Sequence, residues 1–198
     1  MNTAMETWPR PHRLTVEEYY RMAEVGLLAP DARVELIEGE IIDMAPIGTD
    51  HGSIVDQLTR LFVRAVDERA IVRVQGAVRL SSFTEPQPDL ALLRPSPDFY
   101  RKKQPTGADS LLVIEVSDTT LRYDLKTKAP LYARLGVPEV WIFDVNREQI
   151  HFFRSPSDGS YGEVSVVDDP GVVELRTLPG VSIDLSRLWK AGNPQSSE

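Results

Sequence analysis

Cysteine is absent from the 198 residues, so the chain can form no disulfide and no thiolate metal site. The three histidines, His12, His51 and His151, show no metal-ligand spacing such as His-x-x-x-His, which argues against a zinc centre. Long apolar runs are missing too: none approaches the ~20 residues of a membrane-spanning helix. Residues 1–13 are polar and interrupted by proline, without the apolar centre of a signal peptide. The expected compartment is therefore the cytoplasm, with no membrane partner. An excess of positive charge is lacking as well. The net charge is −8, whereas indiscriminate coating of DNA needs a broad basic surface. A local basic rim is still compatible with that balance, and two are present: Arg101-Lys102-Lys103, and Arg122 with Lys126 and Lys128.

The length allows one domain with a sizeable core and is short for two. A single domain over residues 14–190 is expected, between a loose arm at 1–13 and a frayed polar tail at 191–198. Residues 14–25 read as a helix with Thr15 as N-cap, Glu18 completing a capping box, and Gly26 near the end. Residues 34–37 and 40–44 read as a hairpin turning at Glu38-Gly39. Asp50 can cap an amphipathic helix reaching about residue 69, with Ile54, Leu58, Leu61, Phe62 and Ala65 as its apolar stripe. Strands follow at 71–80, 89–93 and 111–117, then a helix at 122–135 and a strand at 139–145. The order helix, strand, strand, strand, helix, strand implies an α/β fold with a mixed sheet. Hairpin-like strands at 149–154, 163–167, 172–175 and 181–185 read as a C-terminal β extension. The loop at 94–110 is long for a compact domain and holds Tyr100 beside the basic triplet, so it is either a cover for a polyanion or a solvated loop.

Three ionisable residues interrupt apolar faces. Asp89 opens the run Pro88-Asp89-Leu90-Ala91-Leu92-Leu93, and Glu115 sits inside Leu111-Leu112-Val113-Ile114-Glu115-Val116. A carboxylate in a buried strand costs several kcal/mol, roughly, unless it is paired. Two on neighbouring strands repel each other in a dry site, and a hard divalent cation such as Mg²⁺ removes that conflict. Lys128 lies on the helical stripe Leu121, Leu125, Lys128, Tyr132, Leu135, where a lysine must reach water or meet an anion. Asp89 and Glu115 are the expected anions, and Lys126 is expected in solvent. Pro130 disturbs this geometry: the helix must kink or begin near Thr127. Taken singly, each residue has a bland reading: a strand-end hydrogen bond for Asp89, an arginine partner for Glu115, a snorkelling stem for Lys128.

These motifs in this order resemble the PD-(D/E)XK nuclease superfamily, with its restriction-endonuclease-like αβββαβ core. More narrowly, the chain resembles the Uma2 family of bacterial endonucleases. The resemblance rests on Arg33-Val34-Glu35-Leu36-Ile37-Glu38-Gly39-Glu40, His51-Gly52, Gln87-Pro88-Asp89 and Ile114-Glu115-Val116-Ser117. Tyr123-Asp124 through Lys128 to Tyr132, Gly136-Val137-Pro138-Glu139-Val140-Trp141-Ile142-Phe143-Asp144 and Leu178-Pro179-Gly180 complete it. It implies Asp89, Glu115 and Lys128 as catalytic residues. It also implies Mg²⁺ or Mn²⁺ held by Asp89, Glu115 and the Val116 carbonyl, and nucleic acid, DNA foremost, as the partner. Ser117 stands where the superfamily's motif lysine is expected, and Lys128 on the next helix is the matching position. Glu35 matches a recurrent glutamate and either extends the acidic cluster or faces solvent. His51 either contacts phosphate or bonds locally at the helix start, and Tyr132 packs or orients Lys128. Arg101, Lys102, Lys103, Arg122 and Lys126 are the candidate nucleic-acid contacts. A homodimer is left open. The rival class is a non-catalytic binding module that keeps the fold. A glycosidase with paired carboxylates would leave Lys128 without a role.

Overall fold

The structure is a computed structural model that describes residues 9–190. Residues 1–8 of the expected arm and all of the expected tail lie outside the described residues.

Local chemistry accounts for the N-terminal elements. Helix α1 (Val16–Glu24) starts at Thr15, whose hydroxyl accepts from the Glu18 amide while the Glu18 carboxylate accepts from the Thr15 amide. Strands β1 (Val34–Ile37) and β2 (Glu40–Asp43) pair antiparallel around Glu38 and Gly39, at φ of 50° and 85°. Two positive φ values give the turn whose twist suits a hairpin. Gly39 is needed there for a second reason: a Cβ would lie 2.6 Å from the Cβ of Arg13. Helix α2 (Thr49–Val66) has Gly48 as its N-cap, not Asp50. Capping needs an extended residue outside the helix, which Gly48 is, whereas Asp50 sits in the first turn and complements the helix dipole. The helix also ends at Val66, passing into a single 3₁₀ turn at Asp67–Arg69.

Six strands form one mixed sheet in the order β3 (Ile71–Val74), β4 (Leu90–Leu93), β5 (Ser110–Ser117), β6 (Glu139–Asp144), β7 (Gln149–Ser157) and β8 (Ser160–Val167). Only β5 and β6 run parallel. Their crossover is a continuous helical stretch of α3 (Leu121–Tyr123), a π-helical turn (Asp124–Lys128) and α4 (Ala129–Arg134). The expected αβββαβ order is thus present. Strand β3 is shorter than expected because Gln75 turns the chain at φ 46°. Strands β7 and β8 are no appendage: they continue the main sheet beside β6. Of the expected C-terminal extension, only β9 (Val172–Glu174) and β10 (Ser182–Asp184) form a separate pair, as β1 and β2 do near the N-terminus.

The core has two sides. Leu90, Leu92, Leu112, Ile114, Trp141 and Phe143 pack towards Ile54, Leu58 and Phe62 of α2. Val113, Val140 and Ile142 pack on the other face, towards Ala129 and Tyr132 of α4. Among the described residues no helix is long and apolar enough to cross a membrane.

Candidate active site

Strand pairing brings the two carboxylates together. The antiparallel register sets Leu90 against Ile114 and Ala91 against Val113. Continued by one residue, it places Asp89 opposite Glu115 on the face that α4 covers. Asp89 is 8% exposed and Glu115 4%. The Val116 amide donates to Asp89 Oδ2 at 2.8 Å, locking the carboxylate to β5. His51, in the first turn of α2, sets its Nε2 3.1 Å from Asp89 Oδ1.

Lys128 enters from the opposite side. Its buried ammonium lies 2.8 Å from Glu115 Oε1 and 3.2 Å from Glu35 Oε2. Glu35 comes from β1 and also accepts from the Gln87 amide at 3.1 Å. The Tyr132 hydroxyl donates to Glu115 Oε1 at 2.6 Å. The π-helical turn makes this placement compatible with Pro130. The Ala129 amide bonds to the Asp124 carbonyl, five residues back. That wider turn gives the proline ring room where an α-helical turn would press it against a carbonyl. The helix therefore neither breaks nor restarts at Thr127. Asp124 is buried one wide turn before Lys128 and accepts from Ser117 Oγ at 2.7 Å and Thr120 Oγ1 at 2.6 Å.

Charge in this cluster is finely opposed. Burial pushes the Glu115 carboxyl up to about 8 against the pull of Lys128, with Asp124, Asp89 and Glu35 adding to the rise. Burial works against the Lys128 charge, but Glu115, Glu35 and Asp124 outweigh it and hold the ammonium above the ordinary lysine range. Burial also raises Asp124, while Lys128 and the two hydroxyls oppose it. The bond to Asp89 is the main cause that raises His51. Burial alone does not mark a site, since Glu85, Glu139 and Asp144 are equally buried. Each of those is matched by an arginine, Arg79, Arg154 and Arg147 in turn. Glu35, Glu115 and Asp124 share one lysine, Asp89 faces His51, and the group opens on a cleft of about 220 Å³.

The Uma2 family profile, described as "Putative restriction endonuclease", matches residues 16–186. The chain belongs to the Uma2 family. A solved structure, "a putative nuclease belonging to DUF820 from Anabaena variabilis ATCC 29413", is similar with a TM-score of 0.68. The match covers 89% of this chain and 98% of that one at 16% identity, a likeness of fold. Among curated proteins none matches.

Most of the residues expected at a site in this Uma2 protein converge on one cleft. Glu35, His51, Asp89, Glu115, Val116 and Lys128 all line it. Tyr132 packs in the core, the first of its two readings, with its hydroxyl on Glu115 rather than on Lys128. Two expectations need correction. Lys128 pairs with Glu115 and Glu35, not with Asp89, because His51 and the Val116 amide already hold Asp89. Arg101, Lys102 and Lys103 are no rim of the cleft, since their loop leaves β4 at the end remote from Asp89. Arg122 and Lys126 are exposed on the outer side of the helical stretch that carries Lys128. Asp124 was not anticipated as part of the cluster, although Tyr123-Asp124 is one of the stretches carrying the resemblance.

The donor set fits a hard cation. Asp89 and Glu115 bring carboxylate oxygens from neighbouring strands to one cleft, and the chain has no cysteine to offer a thiolate there. Two residues lining it carry buried polar atoms without a hydrogen-bond partner, His51 Nδ1 and the Tyr123 hydroxyl, as expected where a polar ligand completes a site. Among the described residues no three His, Asp or Glu side chains converge as a ready-made cage. The Lys128 ammonium takes the place between Glu35 and Glu115 where positive charge is required.

Proposed function

We propose that this Uma2 protein is a metal-dependent nuclease that hydrolyses phosphodiester bonds of nucleic acid, DNA foremost, in the cytoplasm. The observation that carries the reading is the Lys128 ammonium, buried among Glu115, Glu35 and Asp124 beside Asp89. Asp89, Glu115 and the Val116 carbonyl would hold Mg²⁺ or Mn²⁺. When bound, such an ion polarises a phosphoryl oxygen and makes water a better nucleophile at neutral pH.

The remaining work falls to side chains. Lys128 has its pKa raised, so it is a poor base and a good fixed charge. That favours a bond from its ammonium to a phosphate oxygen, stabilising the charge that grows in the transition state. Glu35 and Tyr132 keep this end of the cleft in position, one through Lys128 and the other through Glu115. His51 holds Asp89 from the opposite wall. Arg122 and Lys126 are available as peripheral phosphate contacts.

A second reading, a binding module that retains the fold, draws on the net charge of −8. Asp89→Asn decides between them. The variant should lose the rise in thermal midpoint that Mn²⁺ gives the wild type, and at least about a hundredfold of the cleavage rate on a mixed DNA and RNA panel. Equal responses to Mn²⁺ would show the cation site to be misplaced. Metal binding with no cleavage by the wild type would favour the module.

A further inference from the structure

The loop between β4 and β5 has features that the cleft does not use. Among the described residues, Phe99 and Tyr100 are the sole consecutive non-glycine pair at positive φ, 52° and 58°. Bulky side chains avoid that region, and the conformation persists where the surroundings enforce it. The enforcement is explicit. Asp98 Oδ1 accepts from the Ser96 hydroxyl and the Tyr100 amide, and the Asp98 carbonyl accepts from the Arg101 amide. Tyr100 is buried against Val78, Ala91 and Leu93, and its hydroxyl donates to the Arg94 carbonyl at 2.9 Å. The Arg73 guanidinium lies 5.9 Å from its ring centroid.

This held geometry turns one aromatic ring inward and the other out: Phe99 is 70% exposed. Arg101, Lys102 and Lys103 follow directly, all exposed, and none closes an ion pair among the described residues. Arg21, Arg134 and Arg176 are tied to glutamates, while Arg60, Arg64 and Arg122 are exposed without an ion pair among the described residues but have no cation beside them in sequence. The tip stands on the cleft's side of the sheet, because Tyr100 packs on Ala91 and Leu93, which alternate with Leu90 and Leu92 on the face of Asp89. Leu93 lies four steps along the extended chain from Asp89, roughly 13 Å at about 3.3 Å each.

We infer that this tip is a second anchor for nucleic acid, outside the cleft. Arg101, Lys102 and Lys103 contact backbone phosphates of a strand leading from the cleft, and Phe99 stacks on one of its unpaired bases. The identity of the polyanion rests on the nuclease reading. Charge complementarity supports it, since three consecutive exposed cations, of which only Lys103 feels a nearby carboxylate (Asp109), stand out on a chain of net charge −8.

The test separates the tip from the cleft. Binding of a labelled single strand of about 30 nucleotides is followed by fluorescence anisotropy without divalent metal, so that cleavage does not contribute. Hydrolysis of bis(p-nitrophenyl) phosphate with Mn²⁺ reports on the cleft alone. The triple variant R101A/K102A/K103A should bind at least about tenfold more weakly. Its log K against log salt should be shallower by about 2, for three phosphates at ~0.7 each. Phe99→Ser should cost roughly tenfold in affinity for the single strand and much less for a blunt duplex. Both variants should keep the wild-type thermal midpoint and rate on the small phosphodiester. If the wild type hydrolyses nothing but strand binding still depends on the loop, the nuclease reading falls and the anchor stands. Equal binding by wild type and variants, or no binding by the wild type, overturns the anchor. So does a loss confined to phosphatidylglycerol vesicles, which would assign the tip to an anionic lipid surface.

Discussion

Replacing Lys128 by methionine keeps the unbranched stem, one atom shorter, and removes the charge, so it probes the centre of the cluster. Glu115 and Glu35 would lose the ammonium that now lies at 2.8 and 3.2 Å. Removing one partner from a buried ion pair costs on the order of 3–5 kcal/mol. Part of that cost can be avoided, because Glu115 can take up a proton. Its carboxyl is already raised to about 8 with Lys128 present, and the loss of the ammonium raises it further. For an acid with a raised folded pKa, stability is full below the unfolded value, near 4.5, and declines as pH rises through the folded one. The variant should therefore be closest to wild type at about pH 6 and furthest from it near pH 9. At about 2–4 °C per kcal/mol for a domain of this size, the full deficit is roughly 6–20 °C in Tm. Calorimetry in EDTA across that pH range measures it. Added Mn²⁺ should raise the variant's Tm more than the wild type's, because the ion would replace a missing charge rather than compete with it. A Tm within about a degree of wild type at every pH would refute the buried pairing. A deficit that did not change with pH would remove Glu115 from the argument.

The same raised carboxyl predicts that Mn²⁺ affinity climbs with pH to about 8 and then levels, since Glu115 must first lose its proton; a flat calorimetric profile would reject Glu115 as a ligand. His151 is held below the ordinary histidine range by burial, with Nε2 lacking a partner. Its contribution to stability is therefore full above about 6.5 and falls as pH drops towards its folded value. His151→Gln should flatten that acid-side slope in urea titrations, and an unchanged slope would mean the ring is not desolvated. Thr15→Ala should lower stability by about 1 kcal/mol through loss of the capping box, read as an earlier urea midpoint with the same m-value.

Legibility followed the range of the interactions. The capping box at Thr15 and the hairpin at Glu38-Gly39 are readable because every atom involved lies within a few residues. Lys128 was readable from helical spacing, since a charged residue on an apolar stripe demands an anion. Which anion was not readable. The choice of Glu35 over Asp89 depends on where a hairpin 93 residues upstream comes to rest. Glu35 itself gave an ambiguous signal, because all four residues of β1 are buried and alternation distinguishes no solvent face. Asp50 failed as a cap for a smaller reason: two residues decide whether a side chain lies outside a helix or within it. The π-helical turn is not legible locally either. Pro130 announced a disturbance, but opening one turn, rather than breaking the helix, depends on the packing of Asp124 and Lys128 on the sheet.

The sequence by itself determined the order of elements, the mixed sheet, and the presence of two carboxylates and a lysine where apolar residues belong. Periodicity, caps and turns are short-range, and the cost of burying a charge is the same in any fold. Tertiary structure alone decided the partners. It put His51 on Asp89, gave Glu115 both Lys128 and Tyr132, and sent the basic triplet away from the cleft. Those outcomes depend on strand register and on how a hairpin and a helix settle on the sheet, where a shift of one residue turns every side chain to the opposite face.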